Sequence, residues 1–273
     1  MPELPEVESL RRKLVPQLVG KAFVKVTLRR ANLRYPLTPN LKTAFLNSPI
    51  LDVRRRSKYL LIDFSNAQTL VVHLGMSGRF FFTESSSTLD KHDHVLFDLN
   101  DGKQLRFRDP RRFGMMMLVA TAKLSANRFF KNLGVEPLTD DFSAESLQAL
   151  CKTSNTPIKS LLMNAKYLVG VGNIYANEAL FLTGIRPTRV AKKITRAEAA
   201  TLCHNIKNIL AESIARGGTT FRDYVDSDQK PGLYQIELFV YGRAGEPCHR
   251  CQSPITRIVQ TGRSSFYCAA CQR

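Results

Sequence analysis

Between residues 4 and 19 the apolar positions fall at Leu4, Val7, Leu10, Leu14 and Leu18, a spacing that places them on one side of a helix. The period then changes. Over residues 22–30, Val24, Val26 and Leu28 alternate with Lys25, Thr27 and Arg29, as on a half-buried strand. Strand-like runs follow at 50–56, 59–64, 69–74, 79–82, 94–99, 104–108 and 115–119, with a Ser-rich break at 83–93. Many short strands this close together predict a β-sandwich or a barrel-like domain. From about residue 125 the texture becomes helical, with helices predicted over 143–151, 157–164, 174–182 and 195–216. The last of these opens with Thr195 and Glu198 at capping-box spacing and stops at Gly217-Gly218. Residues 226–232 read as a polar loop, and the tail from Tyr241 reads as a β-hairpin. The division that follows is 1–131, β-rich; 132–238, helical; and 239–273, a small tail.

Charge adds a partner to this picture. The chain has 40 Lys+Arg against 23 Asp+Glu, a formal +17. Self-repulsion on that scale is tolerated when the partner is a polyanion, nucleic acid first. The hydrophobic fraction of 44% is that of a globular protein and argues against a disordered basic tail. No apolar run is long enough to span a membrane, and the first residues lack the apolar core of a secretory signal, so a cytoplasmic location is expected.

The six cysteines are unevenly placed. Cys151 and Cys203 stand alone in helical text and read as buried thiols. The other four form Cys248-x2-Cys251 and Cys268-x2-Cys271, separated by 16 residues. Two tight turns, each giving two thiolates, make a tetrahedral cage for one structural Zn²⁺ with no open position for water. The alternatives are disulfides or unligated thiols, which an intracellular chain disfavours. His249 then reads as a surface residue, since four thiolates fill the shell. Arg263, in Thr261-Gly262-Arg263, is expected at the turn of the hairpin, where a guanidinium suits phosphate as well as it suits solvent.

Other segments are individually ambiguous. The chain opens Met1-Pro2-Glu3-Leu4-Pro5-Glu6. Removal of Met1 would free the Pro2 amine, and α-amino groups have a pKa of about 7.7–8.0, low enough to be partly neutral and nucleophilic at pH 7. Glu3 beside it can shuttle protons, and Glu6 can organise the same helix end. Equally, Pro with acidic neighbours is routine at a helix start. Arg54-Arg55-Arg56-Ser57-Lys58 sets positive charge before an apolar strand. Arg106 and Arg108 share a strand face, and Asp109-Pro110 then turns the chain, leaving Arg111 and Phe113 on a loop. With Met76 in Leu74-Gly-Met-Ser-Gly78, these are side chains that can fill the gap left by an extruded base, although isolated Met and Phe are more often core. In Val169-Gly-Val-Gly-Asn173, Asn173 can cap the next helix or bind phosphate.

Taken together these segments resemble the bacterial formamidopyrimidine-DNA glycosylase family. The resemblance runs along essentially the whole chain, through Met1-Pro-Glu-Leu-Pro-Glu-Val-Glu8, Arg55-Arg-Ser-Lys-Tyr-Leu60, His73-Leu-Gly-Met-Ser-Gly78, Lys91-His-Asp-His94, Asp109-Pro-Arg-Arg-Phe-Gly114, Val169-Gly-Val-Gly-Asn-Ile-Tyr175 and the four cysteines. It implies an α+β fold: an N-terminal β-sandwich flanked by helices, then a helix–two-turns–helix domain with a zinc-finger β-hairpin. It also implies base-excision repair of oxidised purines such as 8-oxoguanine, on double-stranded DNA, by a monomer with no obligate protein partner. By resemblance Pro2 is the nucleophile, Glu3 moves protons, and Lys58 and Arg263 contact phosphate and assist the two eliminations. Met76, Arg111 and Phe113 fill the vacated stack, Asn173 binds a backbone phosphate, and His92 and Lys159 contact the backbone. Residues 219–234 match the loop over the flipped base. Two departures bear on affinity and loop behaviour: relatives carry a lysine-rich run where this chain has Lys152-Thr-Ser-Asn155, and Lys where it has Arg222. The competing readings are an endonuclease VIII-type enzyme for oxidised pyrimidines, disfavoured by Leu4 and by the Met, Arg, Phe trio, and a non-catalytic zinc-finger DNA-binding protein, which would leave Pro2, Glu3 and Lys58 without a role.

Overall fold

The computed structural model describes residues 2–218 and 238–273. They form two compact units, one of residues 2–131 with Gly217 and Gly218, the other of residues 132–216 and 238–273. Met1, the loop expected at 219–234 and Arg222 lie outside the described residues.

In the first unit, helix α1 (Leu4–Leu18) precedes eight strands: β1 (Phe23–Leu28), β2 (Ile50–Arg56), β3 (Tyr59–Phe64), β4 (Gln68–His73), β5 (Arg79–Glu84), β6 (Asp93–Leu99), β7 (Lys103–Arg108) and β8 (Met115–Ala120). They pair into two antiparallel sheets, ordered β1-β6-β7-β5 and β2-β3-β4-β8. Two four-stranded sheets sharing one core make a sandwich rather than a barrel. Phe23, Val53, Leu60, Val72, Phe97 and Phe107 from the sheets meet Val7, Leu10, Leu14 and Leu18 of α1 in that core. The predicted strands differ from the observed ones by a residue or two at their ends, where frayed pairing leaves no pattern to read.

The basic strands are committed internally. Arg54 pairs with Asp63 across β2 and β3, and Arg55 reaches Glu8 of α1 at 3.1 Å. Arg108 pairs with Asp93 at 2.5 Å. Arg106 is only 1% exposed and donates to the Ser87 and Thr88 carbonyls at 2.8 and 3.0 Å, fastening the Ser-rich turn to the sheet. Burial pushes the Glu8 carboxyl up, but hydrogen bonds from Arg11 and Arg12 and the charges of Arg11 and Arg55 outweigh it and hold the group below the usual carboxylate range.

The second unit contains α2 (Ala144–Lys152), α3 (Ile158–Leu162), α4 (Asn173–Thr183) and α5 (Arg196–Ala215), and a hairpin of β9 (Ile255–Gln260) and β10 (Arg263–Cys268). Thr195 caps α5 as its spacing predicts, accepting from Glu198 N–H at 3.2 Å while its own N–H donates to Glu198 Oε2 at 2.8 Å. A small core of Phe181, Val240, Cys248, Ile255, Phe266 and Cys268 joins the hairpin to α4. Glu178 of α4 reinforces that joint by accepting from the amides of Phe239, Val240 and Tyr241 at 2.7–3.0 Å. No helix among the described residues is long and apolar enough to cross a membrane.

Candidate nucleic-acid interface and catalytic terminus

Pro2 and Glu3 are buried where α1 begins. Glu3 sits at the cap position, and its N–H donates to Glu6 Oε2 at 2.7 Å, so Glu6 closes the helix start over the residue beside the nucleophile candidate. Gly218, at φ +87°, lies so close that a Cβ would stand 3.2 Å from Glu6 Cα.

Lys58 sits in the two-residue turn between β2 and β3, where Ser57 adopts φ +55° and accepts from Arg55 Nη1 at 2.9 Å. His73 ends β4 with its ring 5.0 Å from that of Tyr59, within the electrostatic reach of Lys58 and Arg34. Its Nδ1 accepts from Gly75 N–H at 2.9 Å, which leaves the proton on Nε2. Burial first, and then the charges of Lys58 and Arg34, bring its pKa down to about 4. A neutral donor beside two cations suits an anionic oxygen. Its motif is legible in the sequence, but its role is not, because only the fold brings Lys58 and Arg34 to it.

Met76, Arg111 and Phe113 stand on two loops joined by one buried joint. Asp109 is fully buried; its Oδ1 accepts from Ser77 Oγ at 2.6 Å and its Oδ2 from Gly114 N–H at 2.8 Å. Ser77 Oγ in turn accepts from Arg111 N–H at 3.0 Å, and the Asp109 carbonyl accepts from His94 Nε2 at 2.9 Å. A side chain at Gly75 would overlap the Phe113 backbone, so the loops touch at main-chain distance. Held this way, Phe113 is 44% exposed and Arg111 lies over its ring at 5.1 Å, although apolar residues usually turn inward. His92 is half-buried at the edge of the same joint, its carbonyl accepting from Asp109 N–H at 3.0 Å. Sequence reasoning gave Asp109 only a turn and assigned no role to Ser77 or His94.

In the second unit the turn of the hairpin is Thr261-Gly262, both at positive φ, and Arg263 opens β10 opposite Gln260 rather than occupying the turn itself. Arg263 is exposed. Asn173 is the first residue of α4, with Gly172 at the cap, and its amide donates to the Ser264 carbonyl at 2.9 Å. Lys159, expected at the DNA backbone, is 2% exposed, and its Nζ donates to Ser264 O at 3.0 Å and Ser265 Oγ at 2.6 Å. An ammonium this well partnered inside the protein braces the hairpin that carries Arg263. Lys159 and Arg263 both line a cavity of about 280 Å³.

The Sγ atoms of Cys248, Cys251, Cys268 and Cys271 all lie within 4.8 Å of one another, with 3.4 Å between Cys251 and Cys268 and 4.0 Å between Cys248 and Cys271. Thiolates at about 2.3 Å from Zn²⁺ stand roughly 3.8 Å apart in a tetrahedron, so this donor set fits one zinc. Four protein ligands close the shell and make the site structural.

Residues 1–116 match the model of the formamidopyrimidine-DNA glycosylase N-terminal domain, residues 133–225 that of the H2TH domain of the same proteins, and residues 245–273 that of a zinc finger found in FPG and IleRS. The chain belongs to the formamidopyrimidine-DNA glycosylase family. It is 47% identical over 272 residues to formamidopyrimidine-DNA glycosylase of Rickettsia africae, covering 100% of this chain and 99% of the relative. The Lactococcus lactis glycosylase, solved with DNA containing N7-benzyl-Fapy-dG, superposes with a TM-score of 0.92 at 31% identity over 100% of both chains. The Thermus thermophilus protein superposes at 0.88 with 38% identity, over 99% of this chain and 98% of that one. Membership makes this chain a DNA glycosylase, and the fold and the zinc-finger cysteine cluster expected from the resemblance are what the molecule has.

Proposed function

We propose that this glycosylase is bifunctional: it removes oxidised purines from double-stranded DNA through a Schiff base on Pro2 and then cuts the strand by two successive eliminations. The observation that carries the reading is the buried Pro2-Glu3 start of α1, closed by Glu6, in a chain of this family. With Met1 removed, the Pro2 lone pair bonds to C1′ of the damaged nucleotide as the C1′–base bond breaks, and the base leaves with the electron pair of that bond and takes up the proton shed by the Pro2 nitrogen. Glu3 supplies a proton to the ring oxygen as the sugar opens, giving an iminium. The iminium acidifies the 2′ hydrogen; the Glu3 carboxylate left by the ring opening takes that proton as the C3′–O bond breaks and the 3′ phosphate leaves, and loss of the C4′ proton to water then expels the 5′ phosphate in the second elimination. Lys58 with His73 holds phosphate during the first elimination, and Arg263 holds it during the second. Met76, Arg111 and Phe113 fill the space of the extruded nucleotide, whose unstacking costs a few kcal/mol and least for a damaged base. Asn173 and His92 contact the backbone, and Lys159 acts through the hairpin. Segments 1–131, 132–238 and 239–273 divide this labour as catalytic, DNA-holding and zinc-held parts.

Borohydride added to untagged protein and a duplex with one 8-oxoguanine opposite cytosine tests the reading. An adduct on the peptide beginning at Pro2 is expected. Tight binding without an adduct would sink it, and a thymine-glycol duplex would then separate a pyrimidine-lesion enzyme from a protein that only holds DNA.

A further inference from the structure

Several arginines of the first unit answer a carboxylate: Arg11, Arg12 and Arg55 share Glu8, Arg54 has Asp63, and Arg106 and Arg108 share Asp93. Arg34 and Arg128 are exposed, and neither forms an ion pair with a carboxylate among the described residues. Both lie on aromatic faces instead. The Arg128 guanidinium stands 4.8 Å from the Phe129 ring centroid and 5.6 Å from that of Tyr35, and Arg34 stands 5.7 Å from Tyr35. Tyr35 and Phe129 meet edge to face at 5.8 Å.

This platform runs on into residues described above. Phe129 approaches Tyr59 at 6.3 Å, and Tyr59 approaches His73 at 5.0 Å. The charge of Arg34 is felt at both Tyr59 and His73. The backbone N–H of Arg34 donates to the Gly114 carbonyl at 3.0 Å, at the base of the Arg111–Phe113 loop. The two arginines therefore continue outward the positive surface begun by Lys58, with neutral His73 beside it. A guanidinium resting on a ring keeps its planar fork fixed while its N–H edges stay free, the form that takes a phosphate diester with least loss of side-chain entropy. Two such groups without a carboxylate repel each other unless an anion lies between them.

We infer that Arg34 and Arg128, seated on Tyr35 and Phe129, form an accessory clamp for backbone phosphate of the DNA strand flanking the lesion, beyond the phosphate held by Lys58. The inference rests on the glycosylase reading for the identity of the polyanion. The test is fluorescence anisotropy on a duplex carrying a non-cleavable abasic analogue, across a salt series, with the full-length wild type, Arg128→Ala, Arg128→Lys and Arg34→Ala/Arg128→Ala. Each lost phosphate contact lowers the slope of log K against log salt by about 0.9. A slope reduced by about one in Arg128→Ala and about two in the double variant is expected, with several-fold weaker binding at 0.1 M salt and partial recovery in Arg128→Lys. Circular-dichroism melting verifies that each variant is folded. Unchanged slopes in a folded double variant would overturn the clamp. So would an Arg128-dependent thermal shift with inorganic phosphate alone and no effect on duplex binding, which would mark a small-anion site. Failure of the wild type to nick an 8-oxoguanine duplex would count against the glycosylase reading, while the slopes would still decide the clamp.

Discussion

Asp109 shows how one buried carboxylate sets the geometry of three exposed side chains. It is fully buried, and its acceptors are taken by Ser77 Oγ, Gly114 N–H and His94 Nε2. A buried polar group left without its partner costs about 1–3 kcal/mol, more when a charge is involved. Ser77→Ala orphans Arg111 N–H and one carboxylate oxygen, so a loss of about 1–3 kcal/mol in urea unfolding is expected. Discrimination between bases opposite the lesion should fall with it. Stability lost with discrimination intact would show that the joint does not position Arg111. His73 gives a pH signature. Its pKa in the fold is about 4 against about 6.5 for a free ring, so between those values the unfolded chain binds a proton that the folded ring refuses. Its contribution is complete above pH 6.5, is lost as pH falls toward 4, and is flat below. The difference reaches at most about 3 kcal/mol, and His73→Gln should flatten that part of the stability–pH curve.

At the scale of elements, the zinc hairpin is held from two sides. Its strands close through a turn of Thr261 and Gly262, and four thiolates stand at spacing for one ion. Lys159, Asn173 and Asn177 seize the backbone of β10 at Ser264 and Phe266. A hairpin this small buries too little apolar surface to fold by itself, so the metal and this polar seam supply what a core would. Cys248→Ser should release the ion, read as one fewer zinc by native mass spectrometry, and should weaken DNA binding. Lys159→Met should leave zinc content unchanged while amide exchange in residues 255–268 quickens and KM rises. Exchange at the wild-type rate would return Lys159 to a direct DNA contact.

For the whole molecule, net charge and its distribution govern the encounter with DNA. The formal +17 makes binding steeply salt-dependent, because each phosphate neutralised releases counterion. A flat response of affinity between about 50 and 200 mM salt would contradict a phosphate-reading surface. Some of the positive charges are tied up within the fold. Arg54, Arg55, Arg106 and Arg108 are half-buried or buried and hold strands or turns together, which a count of residues cannot disclose.

What the chain announces in its own text is local. Period-two alternation, the three-to-four spacing from Leu4 to Leu18, the Thr195–Glu198 cap and two Cys-x2-Cys pairs depend on neighbours within a turn or a hairpin, so strands, helices and zinc were legible before any coordinates. The motifs around Pro2, Lys58, Asp109 and Asn173 were legible as segments, and their resemblance to one family named the chemistry. The partners of each side chain were not, because they are distant in sequence. Ser77 meets Asp109 across 32 positions, Lys159 meets Ser265 across 106, and His73 owes its low pKa to Lys58 and Arg34. Whether a charged residue is a brace or a contact depends on burial and on which acceptors lie within about 3 Å, and those distances exist only once the chain is folded. That is why Lys159 turned inward while Phe113 stayed out: hydrogen bonds closed over long loops outweigh the local preference of either residue.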